Sequence, residues 1–528
     1  MPIGSAIILA WIYGCAPANR SSAGAPYSIW TASAMQRVGR NASPAQRSDV
    51  SLWAGRREYA AFQVIVSAGF RDLTHVDLVA SDLRGEEGSL IPSSNLTFYR
   101  EHYVNVRRSS PDPGQGNRPL GPGWYADALV PFVDPKTGLR PAGGIPSAPF
   151  GVAPHSNQPV WVEVYVPEKV KPGLYSGNVR VFGDQFDTAI PVSLHVWSFT
   201  LPLEPTLKSS FGLHEPQLGD RDIHELLLRH RIMPVSVNAA DASELRTRLG
   251  LNSTALRFWG HSDRRKCTMD APPETGQIVA ERRKYPSGLP LYLYPADEID
   301  PCPNLFDHVR QWAAVMRSAD PQIKNLVTVS PVPALYSGDA SGRSAVDIWT
   351  LLPKNFDAAG SRIATVKAKG DEIWSYTALV QDDYSPKWEI DFAPINYRIQ
   401  PGFLSQSLGV TGLLYWRVDL WTAHPWQDVE GYVIDGNNYP GEGMLIYPGQ
   451  DAGLSSALPS MRLKWVREGV DDYEYVAILK RLGKGDWALE QIRSAAKDWR
   501  SWTRDASIVE SVRKELGDEI ERLTCCPE

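Results

Sequence analysis

The sequence predicts a multidomain β and α/β protein in which an N-terminal antiparallel β-sandwich precedes a (β/α)8 barrel of the TIM type and a helical C-terminal extension. Short runs of alternating apolar residues, separated by turn signals such as Pro172-Gly173, predict the sandwich over residues 27–203. From residue 204 to residue 459, strand-like runs alternate with amphipathic helices, which is typical of a parallel barrel. Residues 460–528 are mainly helical in pattern, and we expect them to pack on the barrel.

Eight segments of the second region have the composition of barrel strands. They are residues 208–213, 234–238, 255–259, 289–294, 325–330, 346–352, 372–377 and 412–416. Amphipathic helices are predicted between several of them, for example at residues 220–231 and 304–320. Within the sandwich region, the Pro- and Gly-rich residues 109–154 are expected to form a long surface loop.

Residues 1–26 have the pattern of an export leader and a linker. The apolar run before Cys15 is too short for a membrane-spanning helix but suits the core of a secretion signal. Gly14-Cys15 also fits a lipoprotein cleavage site, so Cys15 is a candidate for a lipid anchor. No Lys or Arg precedes the apolar run, and a misassigned start codon stays open as the alternative. We expect an extracytoplasmic protein that is secreted, periplasmic or surface-anchored, with no transmembrane helix in the mature chain.

The composition restricts the partners of the chain. With 54 basic and 60 acidic residues, the formal net charge is −6, so no global positive field favours nucleic acid, and none is expected as a partner. The 18 Trp residues are many for a soluble protein, and they offer large flat faces for packing or for a ligand.

The cysteines do not predict a metal site. None of them has the CxxC spacing of a zinc or redox site, and we expect neither a metal nor another cofactor. Cys267 and Cys302 could form a disulfide in an oxidising compartment, and two unpaired thiols remain the alternative.

Acidic residues stand at the end of one predicted barrel strand. The strand at residues 289–294 is followed by Asp297, Glu298 and Asp300, and catalytic residues of such barrels lie at the C-terminal ends of the strands. Adjacent residues of a regular strand point to opposite faces, so Asp297 and Glu298 can share a pocket only if the backbone leaves strand geometry there. The structural alternative is helix capping by Asp300 or Asn304, which does not account for Asp297 and Glu298.

Aromatic residues cluster on the last two predicted strands and just beyond them. Their flat faces can stack on a ligand, although any single large aromatic is more often part of a core. The candidates for substrate binding are Trp374, Tyr376, Tyr415, Trp416 and Trp421.

The Asp297-Glu298 pair resembles that of glycoside hydrolase family 123. Further segments resemble the strands, the region after the barrel and the sandwich of that family, so that nearly the whole chain past the leader is covered. They are residues 324–331, 373–376, 412–421, 443–449 and 460–475, together with residues 58–63 and 167–177 in the sandwich. One departure is Ile299, where family members often carry Pro.

The resemblance implies an exo-acting, retaining hydrolase of β-linked 2-acetamido sugars, notably N-acetylgalactosaminides, with a glycan as its partner. The acetamido oxygen of the substrate would act as the nucleophile, so the two acids need not be separated as in ordinary retaining enzymes. By the same resemblance, Asp297 would orient the acetamide and stabilise the oxazolinium-like charge, and Glu298 would be the general acid/base.

Two alternatives remain open. A hydrolase of the same fold could act on a sugar without an acetamido group, with Asp419 or Glu389 as its nucleophile. A non-catalytic carbohydrate-binding surface protein could retain the scaffold and the aromatic residues, and Ile299 is the only sequence feature in its favour.

Overall fold

The computed structural model describes residues 26–114, 116–338 and 342–525. The predicted leader, including Cys15, lies outside these residues. Within them, no helix is both long enough and apolar enough to cross a membrane.

The N-terminal region consists of two β-sheets that share an apolar core. Its strands are β1 (Tyr27–Ser33), β2 (Val50–Arg56), β3 (Tyr59–Ala68), β4 (Leu73–Ala80), β5 (Leu83–Arg84), β6 (Leu90–Ile91), β7 (Leu96–Val106), β8 (Gly123–Pro131), β9 (Phe150–Val152), β10 (Asn157–Tyr165), β11 (Gly173–Gly183) and β12 (Phe186–Thr200). One sheet has the order β1-β3-β10-β7-β8. The other has the order β2-β12-β11-β4-β9, with β5 and β6 attached to β11.

Two details of this region differ from the sequence prediction. β2 pairs with β12 in parallel, because the long connection between them permits a direction that a hairpin would not. The predicted surface loop over residues 109–154 contains β8, which pairs with β7 along its length. Ala126 to Val130 of β8 are buried; the Gly and Pro residues that indicated a loop lie on either side of this apolar run.

The five-stranded sheet is buried on both faces. In β10, Val160, Val162 and Val164 face the other sheet. Trp161 points the other way, into a core that continues through the barrel. Since successive side chains of a strand alternate between its two faces, the single strand β10 contributes to both cores.

Seven parallel strands of the second region form one nearly closed sheet. In sheet order they are β13 (Lys208–Phe211), β19 (Gly412–Tyr415), β18 (Glu372–Tyr376), β17 (Ile348–Leu351), β16 (Lys324–Val327), β15 (Leu291–Ala296) and β14 (Thr254–Ala255). The strand predicted at residues 234–238 is not a regular strand. Pro234 forms one parallel bridge with Phe211, and Val235 hydrogen-bonds to Phe211 and Ala255 at the two edges of the sheet. Because Pro234 has no N–H to donate, the ladder is reduced to this contact.

Helices follow most of these strands, as the sequence pattern predicts. They are α1 (Arg221–Arg229), α2 (Ala239–Leu249), α3 (Thr275–Arg282), α4 (Phe306–Ala319), α5 (Pro353–Ala359), α6 (Ser361–Ala368), α7 (Ile395–Ile399) and α8 (Ser405–Leu408), and the C-terminal α9 (Met461–Arg481), α10 (Gly485–Ile492) and α11 (Ala506–Cys525). After β19 come two short hairpins, β20 (Val433–Ile434) with β21 (Asn437–Asn438) and β22 (Ile446–Tyr447) with β23 (Leu458–Pro459). In α4 the predicted apolar face, which includes Val309, Trp312 and Met316, is buried.

Helix α9 is buried along nearly its whole length and carries charges into the interior. Arg462 binds Asp127 of β8, with Nε 2.9 Å from Oδ1, and neither side chain is exposed. Lys464 and Arg467 both bind Glu163 of β10 at 2.6 Å. The C-terminal extension therefore packs on the sandwich as well as on the barrel.

Candidate active site

A cavity of about 410 Å³ lies at the C-terminal ends of the barrel strands. The loops that follow β14, β15, β18 and β19 supply most of its walls. The aromatic and charged side chains that line it are Trp259, Arg264, Tyr294, Asp297, Glu298, Tyr376, Tyr415, Trp416, Tyr432 and Glu442. Five of the seven residues that the sequence analysis selected are in this set: Asp297, Glu298, Tyr376, Tyr415 and Trp416.

The backbone leaves strand geometry at Asp297 and Glu298, as it must if the two side chains are to share a pocket. Strand β15 ends at Ala296, and Glu298 has a φ of 47°, a left-handed conformation that non-glycine residues rarely adopt. The Glu298 N–H donates to Thr328 Oγ1 at 2.6 Å, and the Asp297 N–H donates to Ser262 Oγ at 2.9 Å. These bonds hold the turn so that both carboxyl groups line the cavity.

Two hydroxyl groups hold the Asp297 carboxylate. Tyr294 Oη donates to Asp297 Oδ1 at 2.7 Å, and Thr328 Oγ1 donates to the same oxygen. Burial and then the Asp297 charge raise the pKa of Tyr294, so the phenol stays protonated and remains a donor. Both partners bind Oδ1, which fixes the plane in which Oδ2 can meet a ligand.

Glu298 has a different partner on each oxygen. Tyr376 Oη donates to Oε1 at 2.9 Å, and Arg264 forms an ion pair with Oε2. Burial, followed by the charges of Asp297 and Asp300, raises the pKa of Tyr376. The buried Tyr376 lies on the barrel side of the carboxyl group, whereas the Arg264 side chain is 54% exposed.

Arg264 belongs to a loop that is fastened to the turn carrying Asp297 and Glu298. Cys267 of this loop and Cys302 form a disulfide, and Asn304 Nδ2 donates to the Cys267 carbonyl at 2.9 Å. Asp263 accepts backbone N–H groups within the same loop. The disulfide alternative of the sequence analysis is therefore the one observed.

The capping alternative for the acids is not what the structure has. Asp300 Oδ1 accepts the Ser330 N–H at 3.0 Å, and no side chain caps the first turn of α4. Ile299 is fully buried and packs beneath the turn, outside the cavity lining.

Two aromatic candidates lie outside the cavity. Trp374 is on the interior face of β18, two residues before the strand ends at Tyr376, so it fills the layer below the cavity. Its ring contacts Tyr292, with centroids 5.8 Å apart. Trp421 packs against the core, and its Nε1 donates to the Ile446 carbonyl at 2.8 Å. Neither residue lines the cavity, and substrate binding by them stays a prediction.

Two models of one family match the sequence. The glycoside hydrolase 123 N-terminal domain matches residues 35–183, and the glycoside hydrolase 123 catalytic domain matches residues 298–479. Together they cover more than half of the chain. The chain belongs to glycoside hydrolase family 123. No curated protein sequence matches it.

A solved structure resembles this family 123 glycoside hydrolase in fold. A family 123 glycoside hydrolase from Clostridium perfringens, whose description concerns glycolipid glycan hydrolysis, has a TM-score of 0.67 at 14% identity, over 94% of this chain and 98% of that one. A β-glucuronidase from Bacteroides uniformis covers 79% of this chain and 48% of its own at 10% identity, and its TM-score of 0.30 is too low to support an argument.

Several side chains that line the cavity were not predicted from the sequence, above all Glu442. The Glu442 carboxyl group accepts the indole N–H of Trp416 and, at 3.3 Å, the Leu379 N–H. Burial raises its pKa to about 7. The signal was its position between Gly441 and Gly443, directly before a segment that carries the family resemblance. Trp259, Tyr294 and Tyr432 carried no local signal, because they reach the cavity from separate loops and strands.

Proposed function

We propose that the protein is an exo-acting, retaining hydrolase of β-linked 2-acetamido sugars, with N-acetylgalactosaminides as the preferred class. The observation that carries the proposal is the turn after β15, from which Asp297 and Glu298 face one cavity. Adjacent acids of this kind suit a reaction in which the substrate supplies the nucleophile.

In this mechanism the acetamido carbonyl oxygen attacks the anomeric carbon while Glu298 donates its proton to the departing glycosidic oxygen. Asp297, held by Tyr294 and Thr328, accepts the acetamide N–H and stabilises the positive charge of the oxazolinium intermediate. Water then attacks the anomeric carbon, Glu298 takes its proton, and the acetamido group is restored with retained configuration. Tyr376 orients Glu298 in both steps.

The carboxyl groups proposed as enzymic nucleophiles in the alternative reaction do not face the cavity. Asp419 is buried, and the His214 N–H and Arg417 bind it. Glu389 is fully buried as well, and neither residue lines the cavity. Glu442 does line it, but burial raises its pKa to about 7, and a protonated carboxyl group is a poor nucleophile. The burial of these three acids favours the acetamido group as the nucleophile.

The aromatic walls suit the apolar face of a sugar ring. Trp259 and Trp416 are 38% and 36% exposed, so each presents part of its indole to the cavity. The cavity volume is near the lower end of the roughly 300–1,000 Å³ of ligand pockets, which favours a terminal sugar. Because the similar Clostridium perfringens enzyme is described by glycolipid glycan hydrolysis, we include glycolipid glycans in the proposed substrate class.

The test is hydrolysis of a panel of aryl glycosides by the wild type and by Glu298→Gln. We expect the variant to lose at least about 1,000-fold in kcat on an aryl N-acetylgalactosaminide that keeps a poor leaving group, because proton donation to the leaving oxygen is removed. Asp307→Asn, an exposed acid on α4, is the matched control. Unchanged turnover by Glu298→Gln would contradict the proposal, and binding without turnover of any glycoside would favour the carbohydrate-binding alternative.

We also propose an extracytoplasmic location, with Cys15 as the site of a lipid anchor. The disulfide between Cys267 and Cys302 supports this location, since disulfides persist mainly in oxidising compartments. Fractionation of cells that express the full chain tests it: the protein is expected outside the cytoplasm, and Cys15→Ser is expected to release it from the membrane fraction. Accumulation of the wild type in the cytoplasm would contradict the proposal.

A further inference from the structure

Arg264 lines the cavity at its mouth and binds the proposed general acid. Its guanidinium pairs with Glu298 Oε2, although more than half of the side chain is exposed. The next two residues, Arg265 and Lys266, are also exposed cations. No step of the reaction described above uses this charge.

This inference rests on the proposed function, because it starts from the role of Glu298, the partner of Arg264, as the general acid. A general acid must come within about 2.6–3.2 Å of the glycosidic oxygen. Tyr376 holds the Glu298 carboxyl group from the barrel side and Arg264 from the solvent side. With the terminal sugar in the cavity, the exposed guanidinium group would lie on the leaving-group side of Glu298.

The ion pair cannot persist through the reaction. To donate a proton Glu298 must be neutral, and a neutral carboxyl group no longer balances the guanidinium charge. The pair must open, and Arg264 then needs another anion or water. An arginine that changes partner at the leaving-group side is suited to bind an anion of the substrate, because its planar fork matches carboxylate and sulfate oxygens.

The loop holds this arginine in place before the substrate arrives. The disulfide from Cys267 to Cys302 and the bond from Asn304 to the Cys267 carbonyl fasten one end of the loop, and the bond between Ser262 and the Asp297 N–H fastens the other. A group that is ordered in advance loses less entropy on binding.

Acidic residues around the loop leave the charge of Arg264 available. Asp263 accepts the backbone N–H groups of Arg265 and Lys266 and lies 3.4 Å from Lys266 Nζ. Asp270 binds His261. Glu298 is thus the acidic partner of Arg264 among the residues that the structure describes.

We propose that Arg264 is the specificity residue for an acidic leaving group, a uronic or sialic acid carboxylate or a sulfate ester on the sugar that is released. This anion replaces Glu298 as the partner of Arg264 and so frees Glu298 to carry its proton.

The kinetic test uses two disaccharides with the same terminal 2-acetamido sugar, one linked to glucuronic acid and the other to glucose. The wild type is expected to prefer the acidic disaccharide in kcat/KM by about tenfold or more, the size of one charge-assisted hydrogen bond. Arg264→Gln should reduce this ratio to about one, while Arg84→Gln, an exposed arginine of the sandwich, keeps it. A sulfated disaccharide in the same assay distinguishes sulfate from carboxylate. Equal rates on the acidic and neutral disaccharides with the wild type would overturn the inference and leave the proposed function standing.

If neither disaccharide is turned over, the proposed function is overturned, and a binding test then decides the inference about Arg264. Glu298→Gln removes the competing anion but can keep the Tyr376 hydrogen bond. By calorimetry, this variant should bind the glucuronic acid disaccharide at least about tenfold more tightly than the glucose disaccharide, and Glu298→Gln/Arg264→Gln should lose the difference. No difference in the single variant would overturn the inference.

Discussion

The turn after β15, which carries Asp297 and Glu298, and helix α9 both bring carboxylates together with arginines. The two regions differ in how far these ion pairs are exposed to solvent. In α9, Arg462 and its partner Asp127 are wholly buried, and so are Arg467 and Glu163. In the turn, Glu298 is 29% exposed and its partner Arg264 is 54% exposed. Of these three pairs, the one between Arg264 and Glu298 opens onto the cavity at the strand ends.

The difference separates a buried structural ion pair from an exposed one that can exchange a partner. Breaking a buried pair leaves a charge without water or a counterion, so such pairs keep their partners. A pair at the mouth of a cavity can exchange one partner for a substrate group or for water. Arg462 and Arg467 of α9 lie, like Glu298, within the range that matches the family's catalytic domain, so the match alone does not distinguish the two kinds of ion pair.

After that of Glu298→Gln, the largest expected effect on catalysis is that of Asp297→Asn. The neutral amide cannot stabilise the oxazolinium charge, so kcat should fall by about 100–1,000-fold, as when a transition-state hydrogen-bond partner is removed. A thiazoline-type inhibitor, which mimics the intermediate, should also bind more weakly. A calorimetric melting temperature equal to that of the wild type would assign the loss to chemistry, and a variant with full activity would contradict the assigned role.

Glu163→Gln should have the opposite signature, with a loss of stability and no loss of chemistry. Burial raises the pKa of Glu163, but the charges of Arg467 and Lys464 outweigh it and lower the pKa to about 2. The variant leaves Lys464 buried without its ion-pair partner and Arg467 with Glu468 alone, which should cost about 3–5 kcal/mol in the free energy of unfolding. Urea unfolding measures this, and kcat per folded molecule should not change. A loss of kcat with unchanged stability would reverse the comparison.

Tyr376→Phe is expected to have a smaller effect. It removes the hydrogen bond from the phenol to Glu298 Oε1 and leaves the ring in the cavity wall. We expect kcat to fall by about tenfold, which corresponds to one hydrogen bond to a charged group, with little change in KM. A large rise in KM at constant kcat would mean that Tyr376 binds the sugar rather than orienting the acid.

The smallest effect concerns Glu442 and pH. Because burial raises its pKa to about 7, the folded protein retains a proton that the unfolded chain releases near pH 4.5. This contribution to stability is complete below about pH 4.5 and is lost as the pH rises through 7. Glu442→Gln is neutral throughout, so its stability should fall less between pH 5 and pH 8. Asp471 and Asp472, whose pKa values burial raises to about 7 and about 6, keep part of the slope. An identical slope in the two proteins would contradict this role for Glu442.

The sequence predicts the parts of this molecule in which local pattern determines structure. The acids at the end of β15 could be identified because a barrel collects strand ends at one edge, and the φ of Glu298 is the break that their shared pocket required. The depth of Trp374 in the barrel depends on where β18 ends, which the local sequence pattern does not determine. The ion pairs between Glu163 and α9 join residues about 300 positions apart, and no local sequence pattern encodes such a contact.

The central claim is that the substrate supplies the nucleophile at the Asp297-Glu298 turn. Its most direct test is kcat/KM for two aryl β-galactosides that differ only at C2, one with an acetamido group and one with a hydroxyl group. The account predicts at least a roughly 1,000-fold preference for the acetamido substrate, since the hydroxyl substrate has no internal nucleophile. Comparable rates on the two substrates would contradict it.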